Sequence, residues 1–226
     1  MSEISVPKKF RQGEGVHIAL IGMSGAGKSF WSKKMEDQGY RRYSCDDMIA
    51  ERLGPELQKN GKTTLNLAKW MGEPYAKDYP EAEALYLELE SAVIAQICDD
   101  LEHGSQMDKP VVVDTTGSLI YLKKTLLKRF RNLTRTVHLN LPEEKHEELF
   151  EAYLLDPKPV IWKGKYLPLQ GESPQNALSR CYRELLSFRN ERYDLNSDIV
   201  LDYSFHHCPD TGVKEVLESV GKRSKS

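Results

Sequence analysis

"VHIALIGMSGAGKS" (residues 16–29) joins an apolar run to a glycine-rich loop that ends in Lys and Ser. The run 16–22 reads as a buried strand. The loop follows the pattern G-x-x-x-x-G-K-[ST], with Gly22, Gly27, Lys28 and Ser29 in the fixed positions. Each residue type has a physical reason. The glycines let main-chain N–H groups turn inward around phosphate oxygens. A helix, predicted from Lys28 to Gln38 and closed by Gly39, adds the partial positive charge of its N-terminus. The Lys28 ammonium reaches the outer phosphates, and the Ser29 hydroxyl is placed to bind Mg²⁺. The cradle is therefore expected to comprise Gly22, Ser24, Gly25, Ala26, Gly27, Lys28, Ser29 and Phe30, and its ligand is a nucleoside triphosphate.

Working outward, short apolar runs alternate with helical segments. Strands are predicted at 40–45, 135–142 and 198–204, and 110–117 reads as a strand running into a polar turn. Helices are predicted between them, among them "DDMIAERLG", "LNLAKWMGEP", "LIYLKKTLLKRF" and "EEKHEELFEAYLL". A long amphipathic helix is opened by Pro80 and closed by Gly104. Strands alternating with helices mean a parallel sheet covered on both faces, an α/β protein of three layers. One stretch breaks the pattern. "DPKPVIWKGKYLPLQGESP" (156–174) is rich in Pro and Gly, has no helical period, and is too long for a passive turn. It is expected to be a functional lid at about 155–174, carrying Lys158, Lys163, Lys165 and Trp162. The expected organisation is a flexible segment 1–15, one domain over 16–220, and a flexible tail 221–226.

Composition narrows the function. The chain has 226 residues, 29% of them charged, with a formal net charge of −2. That balance argues against a strongly basic nucleic-acid binder and against a disordered acidic chain. The four cysteines are widely separated with no CxxC pair, which predicts reduced thiols in a cytoplasmic protein and no zinc site. No signal peptide and no membrane-length apolar run is read in the sequence. No N-K-x-D motif of guanine-reading GTPases is present.

Two acidic residues follow predicted strands. Asp46, after 40–45, stands at the carboxyl edge of the sheet, where ligands bind in open α/β folds. A carboxylate there orients or deprotonates an acceptor hydroxyl, or merely caps a helix. Asp114 ends "VVVD", the position from which an Asp holds Mg²⁺ through water.

In order and spacing, most of residues 16–220 resembles the shikimate kinase family of P-loop enzymes. The resemblance rests on "GMSGAGKS" (22–29), "SCDDMI" (44–49), "GEPYAK" (72–77), "DPKPVI" (156–161) and "RNERYDLNSDIV" (189–200). It implies a five-stranded parallel sheet in the order 2-3-1-4-5, ATP with Mg²⁺ as phosphate donor, a small hydroxylated and anionic acceptor, and a closing lid. It implies catalytic roles for Lys28, Asp46 and Lys158, acceptor contacts from Asp46, Lys77, Gly117 and Arg189, and metal binding by Ser29 and Asp114. The chain is expected to act as a monomer. It departs from the family pattern at Ser44, Lys77, the single glycine of "DTTGS" (114–118) and the lid lysines. Lys is a point charge, not a planar fork, so carboxylate recognition changes and an acceptor other than shikimate is expected. Two alternatives stand beside this kinase. One is a nucleotide or nucleic-acid end kinase using Arg41, Arg42 and "KKTLLKRFR" as a basic face. The other is a non-catalytic, ATP-binding regulatory module.

Overall fold

The computed structural model describes residues 16–54, 57, 63–103 and 108–221. Residues 1–15, the tail beyond 221 and Gly104 lie outside them, so the expectations for both termini and for that helix stop do as well. Five strands form one parallel sheet: β1 (Ile18–Ile21), β2 (Arg41–Ser44), β3 (Val111–Asp114), β4 (Arg135–Leu139) and β5 (Ile199–Leu201). Their order is β2-β3-β1-β4-β5, the expected 2-3-1-4-5. β1 lies at the centre, and all four of its residues are at most 1% exposed. A strand sealed on both faces has no polar side to alternate with, which is why its sequence is a continuous apolar run.

The helices are α1 (Lys28–Glu36), α2 (Cys45–Leu53), α3 (Thr63–Met71), α4 (Tyr79–His103), α5 (Lys124–Leu133), α6 (His146–Leu155), α7 (Pro174–Leu195), α8 (Tyr203–His206) and α9 (Val213–Gly221). Right-handed crossovers send the chain one way from β1 to β2 and the opposite way from β3 to β4, so α1 and α5 cover opposite faces. Accordingly α1 touches α9, while α4 packs on α5. No helix among the described residues is long and apolar enough to cross a membrane.

Three local expectations change. The run 198–204 is strand only to Leu201, because the chain turns into α8 there. The Asp202 carbonyl accepts hydrogen bonds from the Phe205 and His206 amides. The segment "LIYLKKTLLKRF" is not one helix: a 3-10 turn covers Leu119–Tyr121, Leu122 is extended, and α5 begins at Lys124. The third concerns the segment 156–173, which lacks regular structure but has a root embedded in the core. Val160, Ile161 and Trp162 are buried, and the Tyr79 hydroxyl donates to the Val160 carbonyl at 2.7 Å and accepts from the Trp162 amide at 2.9 Å. Trp162 therefore anchors the segment, with Tyr166 and Tyr182 edge-on to its ring.

The register fixes what lies at the carboxyl edge. Leu20 and Ser44 both pair with Asp114, so the ends of β1, β3 and β2 stand side by side. The glycine-rich loop leaves β1 beside Asp114, and α2 leaves β2 on the other side.

Candidate active site

The glycine-rich loop has the backbone its sequence demands. Gly22, Gly25 and Gly27 all have positive φ, at 142°, 87° and 92°. Gly22 is further constrained by space, because a Cβ there would stand 2.9 Å from the Leu139 carbonyl oxygen. Gly27 precedes α1 in the left-handed conformation with no side-chain cap, which leaves the helix's first N–H groups for a ligand. The Lys28 ammonium, 8% exposed, lies across the loop and donates to the carbonyls of Gly22 (2.8 Å) and Met23 (2.7 Å). Burial lowers its pKa, while the nearby charges of Asp114 and Asp46 act in the opposite sense. Ser24, Gly25, Gly27, Lys28, Ser29 and Phe30 line a cleft of about 270 Å³. Gly22 and Ala26 are buried behind it. Phe30 is 56% exposed, edge-on to Trp31.

Asp114 lines the same cleft, as its place after β3 suggests. Its Oδ2 accepts from Arg42 Nη2 at 2.8 Å and from Ser32 Oγ at 3.3 Å, and Arg42 Nε donates to Ser32 Oγ at 2.8 Å. The sequence did not single out this pairing. Arg42 turns in to Asp114, so of the two only the exposed Arg41, over the Tyr43 ring at 5.0 Å, remains on the basic face considered from sequence. Both hydrogen bonds to Asp114 reach Oδ2, and Ser29 lines the same cleft. A hydroxyl and a carboxylate are hard oxygen donors of the kind Mg²⁺ takes.

Across the cleft stands Asp46, in the first turn of α2. Its Oδ1 accepts from the Tyr86 hydroxyl at 3.0 Å. Burial is the main cause that raises its pKa to about 6, assisted by the charge on Asp114 and opposed by the Tyr86 hydrogen bond and Lys28. Below it lies a residue that sequence reasoning missed. Glu90 is 0% exposed; its Oε1 accepts from the Thr116 hydroxyl and its Oε2 from Ser118 Oγ at 2.8 Å. Burial raises its pKa to about 7. The signal was present: Glu90 falls at helical spacing with Tyr86, Val93, Ile94 and Ile97 on the buried stripe of α4, where a carboxyl needs partners.

Arg189 closes the cleft from α7. It is 6% exposed and makes no ion pair among the described residues. Its Nη2 donates to the Ile161 carbonyl at 2.6 Å, and its Nε is buried without a partner. Its neighbour Gly117 lies close to it: a Cβ there would stand 3.3 Å from Arg189 Nη1, a tight approach. The Gly117 carbonyl accepts from the Tyr193 hydroxyl at 2.6 Å. Lys158 also lines the cleft and pairs with Asp156. Lys77 does not reach it. That residue is exposed in the loop before α4, and Tyr86, further along α4, stands beside Asp46 instead. Lys163 is exposed, and Lys165 lies over the Phe188 ring at 4.2 Å, away from the cleft lining.

A family model described as "AAA domain" matches residues 18–162, from β1 through the root of the lid segment. No curated protein matches the chain. Among solved structures it is similar to shikimate kinase from Aquifex aeolicus vf5 (TM-score 0.52, 20% identity, covering 91% of this chain and 96% of that one). It is similar also to shikimate kinase from Acinetobacter baumannii in complex with shikimate (TM-score 0.57, 19% identity, 92% of each chain). A third likeness is to shikimate kinase from Bacteroides thetaiotaomicron (TM-score 0.55, 19% identity, 90% of this chain and 94% of that one). At these identities the likeness is one of fold, and it agrees with the observed strand order. With the family model spanning more than half of the residues, the chain belongs to the AAA domain family, and its fold is like that of the shikimate kinases.

Proposed function

We propose that the protein is an ATP- and Mg²⁺-dependent kinase that transfers the γ-phosphate to a hydroxyl of a small, anionic acceptor other than shikimate. The observation that carries this proposal is the convergence of Lys28, Ser29, Asp46, Asp114, Lys158 and Arg189 on one cleft. The glycine-rich loop and the start of α1 bind the phosphates. Lys28 leaves its main-chain carbonyls for the outer phosphate oxygens. Ser29 and Asp114 would hold Mg²⁺, which supplies charge neutralisation at the transferring group.

Asp46 accepts the proton of the acceptor hydroxyl. A carboxyl with a pKa of about 6 is a better base than an ordinary Asp and is still ionised at neutral pH. Arg189 binds the anionic group of the acceptor, since a buried guanidinium with an unpartnered Nε lacks a counter-charge. Gly117 lets the acceptor approach Arg189. Lys158, at the rim, stabilises the charge that spreads over the moving phosphoryl group. The side chains contribute chiefly positioning and electrostatics, which is what phosphoryl transfer requires. The protein works in the cytoplasm as a monomer.

A panel of hydroxy acids, sugar acids and nucleosides, read by ADP release, tests this proposal. Stimulation by an anionic hydroxyl compound, absent in Lys28→Ala, is the expected result. ATP binding with no stimulation by any acceptor sinks it in favour of a regulatory module.

A further inference from the structure

A second concavity, of about 760 Å³, lies between α5 and α7, outside the candidate active site. Its rim is basic. Lys124, Lys128 and Arg131 enter from α5 and Arg192 from α7, against a single carboxylate, Asp198. The three α5 residues follow i, i+4, i+7 spacing and so share one helix face. Its floor is apolar and aromatic, with Leu122, Leu127 and Phe188.

Some surface basic residues have carboxylate partners: Arg129 with Asp99 and Glu102, Arg180 with Glu172, Arg183 with Glu147, Lys145 with Glu148. In the groove, Lys124, Lys128 and Arg192 make no ion pair among the described residues. Arg131 has only a long contact with Asp198, at 3.8 Å, and its Nε is buried without a partner. Phe188 lies beneath two cations, Lys165 at 4.2 Å and Arg192 at 5.2 Å. Four cations gathered against one carboxylate, in a chain whose net charge is −2, favour the entry of an anion.

We propose that the α5–α7 groove is a binding site for a small organic polyphosphate of nucleotide size, with its phosphates on the Lys124–Lys128–Arg131 stripe and its apolar part against Phe188. Two dimensions favour a small ligand over a nucleic-acid strand. Lys124 and Arg131 stand about 10 Å apart along the helix axis, the reach of a short phosphate chain. The volume falls in the range of small-molecule sites. The overall acidity of the chain also works against a long polyanion. The site is independent of the kinase reaction, whose cleft lies elsewhere.

Titration calorimetry on the full chain tests the proposal, with inorganic tripolyphosphate and ATP as probes. Lys28→Ala is introduced first to weaken the glycine-rich loop. In that background tripolyphosphate is expected to bind, more weakly as salt rises. Adding Lys128→Ala and Arg192→Ala is expected to reduce its affinity about tenfold or more. ATP is expected to bind at least as tightly as tripolyphosphate, through the apolar floor. No binding in Lys28→Ala, or binding that the groove substitutions leave unchanged, overturns the proposal. If the alanine variants melt at a lower temperature, Lys124→Gln with Lys128→Gln, which keeps the side-chain stems, serves in their place with the same expectation. Affinity for oligothymidylates that climbs with their length assigns the groove to nucleic acid and overturns the small-ligand proposal, whereas length-independent binding supports it.

Discussion

Arg189 Nη2 donates to the main-chain carbonyl of Ile161 at 2.6 Å, so the cleft's buried guanidinium also holds the buried root of segment 156–173. One side chain thus links α7, that segment and the cleft. Arg189→Lys keeps the charge but not the planar fork. It is expected to raise the acceptor KM roughly ten- to a hundredfold, the worth of a charged hydrogen bond, while the KM for ATP changes little. Equal changes in both constants would refute an acceptor-side role.

Lys28 and the phosphates form the second test. Lys28→Ala removes the ammonium that spans the loop. Turnover is expected to fall by roughly 10²-fold or more, with far-ultraviolet circular dichroism unchanged. Full turnover in this variant would rule out the glycine-rich loop as the phosphate site.

The base proposed for the cleft predicts a pH profile. With its pKa raised to about 6 by burial, Asp46 is protonated, and unable to accept a proton, below that pH. The acid limb of kcat/KM is expected near pH 6 rather than near the ordinary carboxylate value of about 4. Asp46→Asn is expected to abolish that limb along with most activity. A profile flat down to pH 5 would exclude Asp46 as the base.

Glu90 predicts stability rather than rate. Burial raises its pKa in the fold to about 7, above the ordinary glutamate value of about 4.5, so folding favours its protonated form. The stability it contributes is complete below about pH 4.5 and is lost as pH rises through 7, on the order of 3 kcal/mol in all. Glu90→Gln keeps hydrogen-bonding groups beside Thr116 and Ser118 without the ionisation. Its unfolding free energy, from urea titrations across that window, is expected to depend less on pH than that of the natural protein; an identical slope counts against the assignment.

Trp162 supplies a test of the lid's root. Only 2% exposed, it packs against Tyr166 and Tyr182. Trp162→Ala is expected to cost about 3–5 kcal/mol and to lower Tm by roughly 10 °C. A Tm shift within error would mean that the segment is not anchored there.

Most of the fold was legible in the sequence because its signals are local. β1, the loop and α1 are contiguous, and each obeys a rule of spacing or of glycine conformation. The errors came where tertiary contacts override the local pattern. "DIVLDYS" (198–204) reads as one strand on paper, yet Asp202 turns the chain into α8. Lys77 matches a motif by neighbourhood in sequence, yet it sits in an exposed loop while Tyr86 reaches Asp46.

The parallel α/β architecture and the conformation of the glycine-rich loop could be read from the chain alone, since a motif of adjacent residues carries its own geometry. The opposite side of the cleft could not. There Asp46, Tyr86, Glu90, Gly117 and Arg189 come from α2, α4, the loop after β3 and α7, and no local pattern says that these elements meet. The parallel sheet brings them together by aligning the carboxyl ends of its strands at one edge. Burial there gives Asp46 and Glu90 their shifted pKa values and leaves Arg189 without a counter-charge.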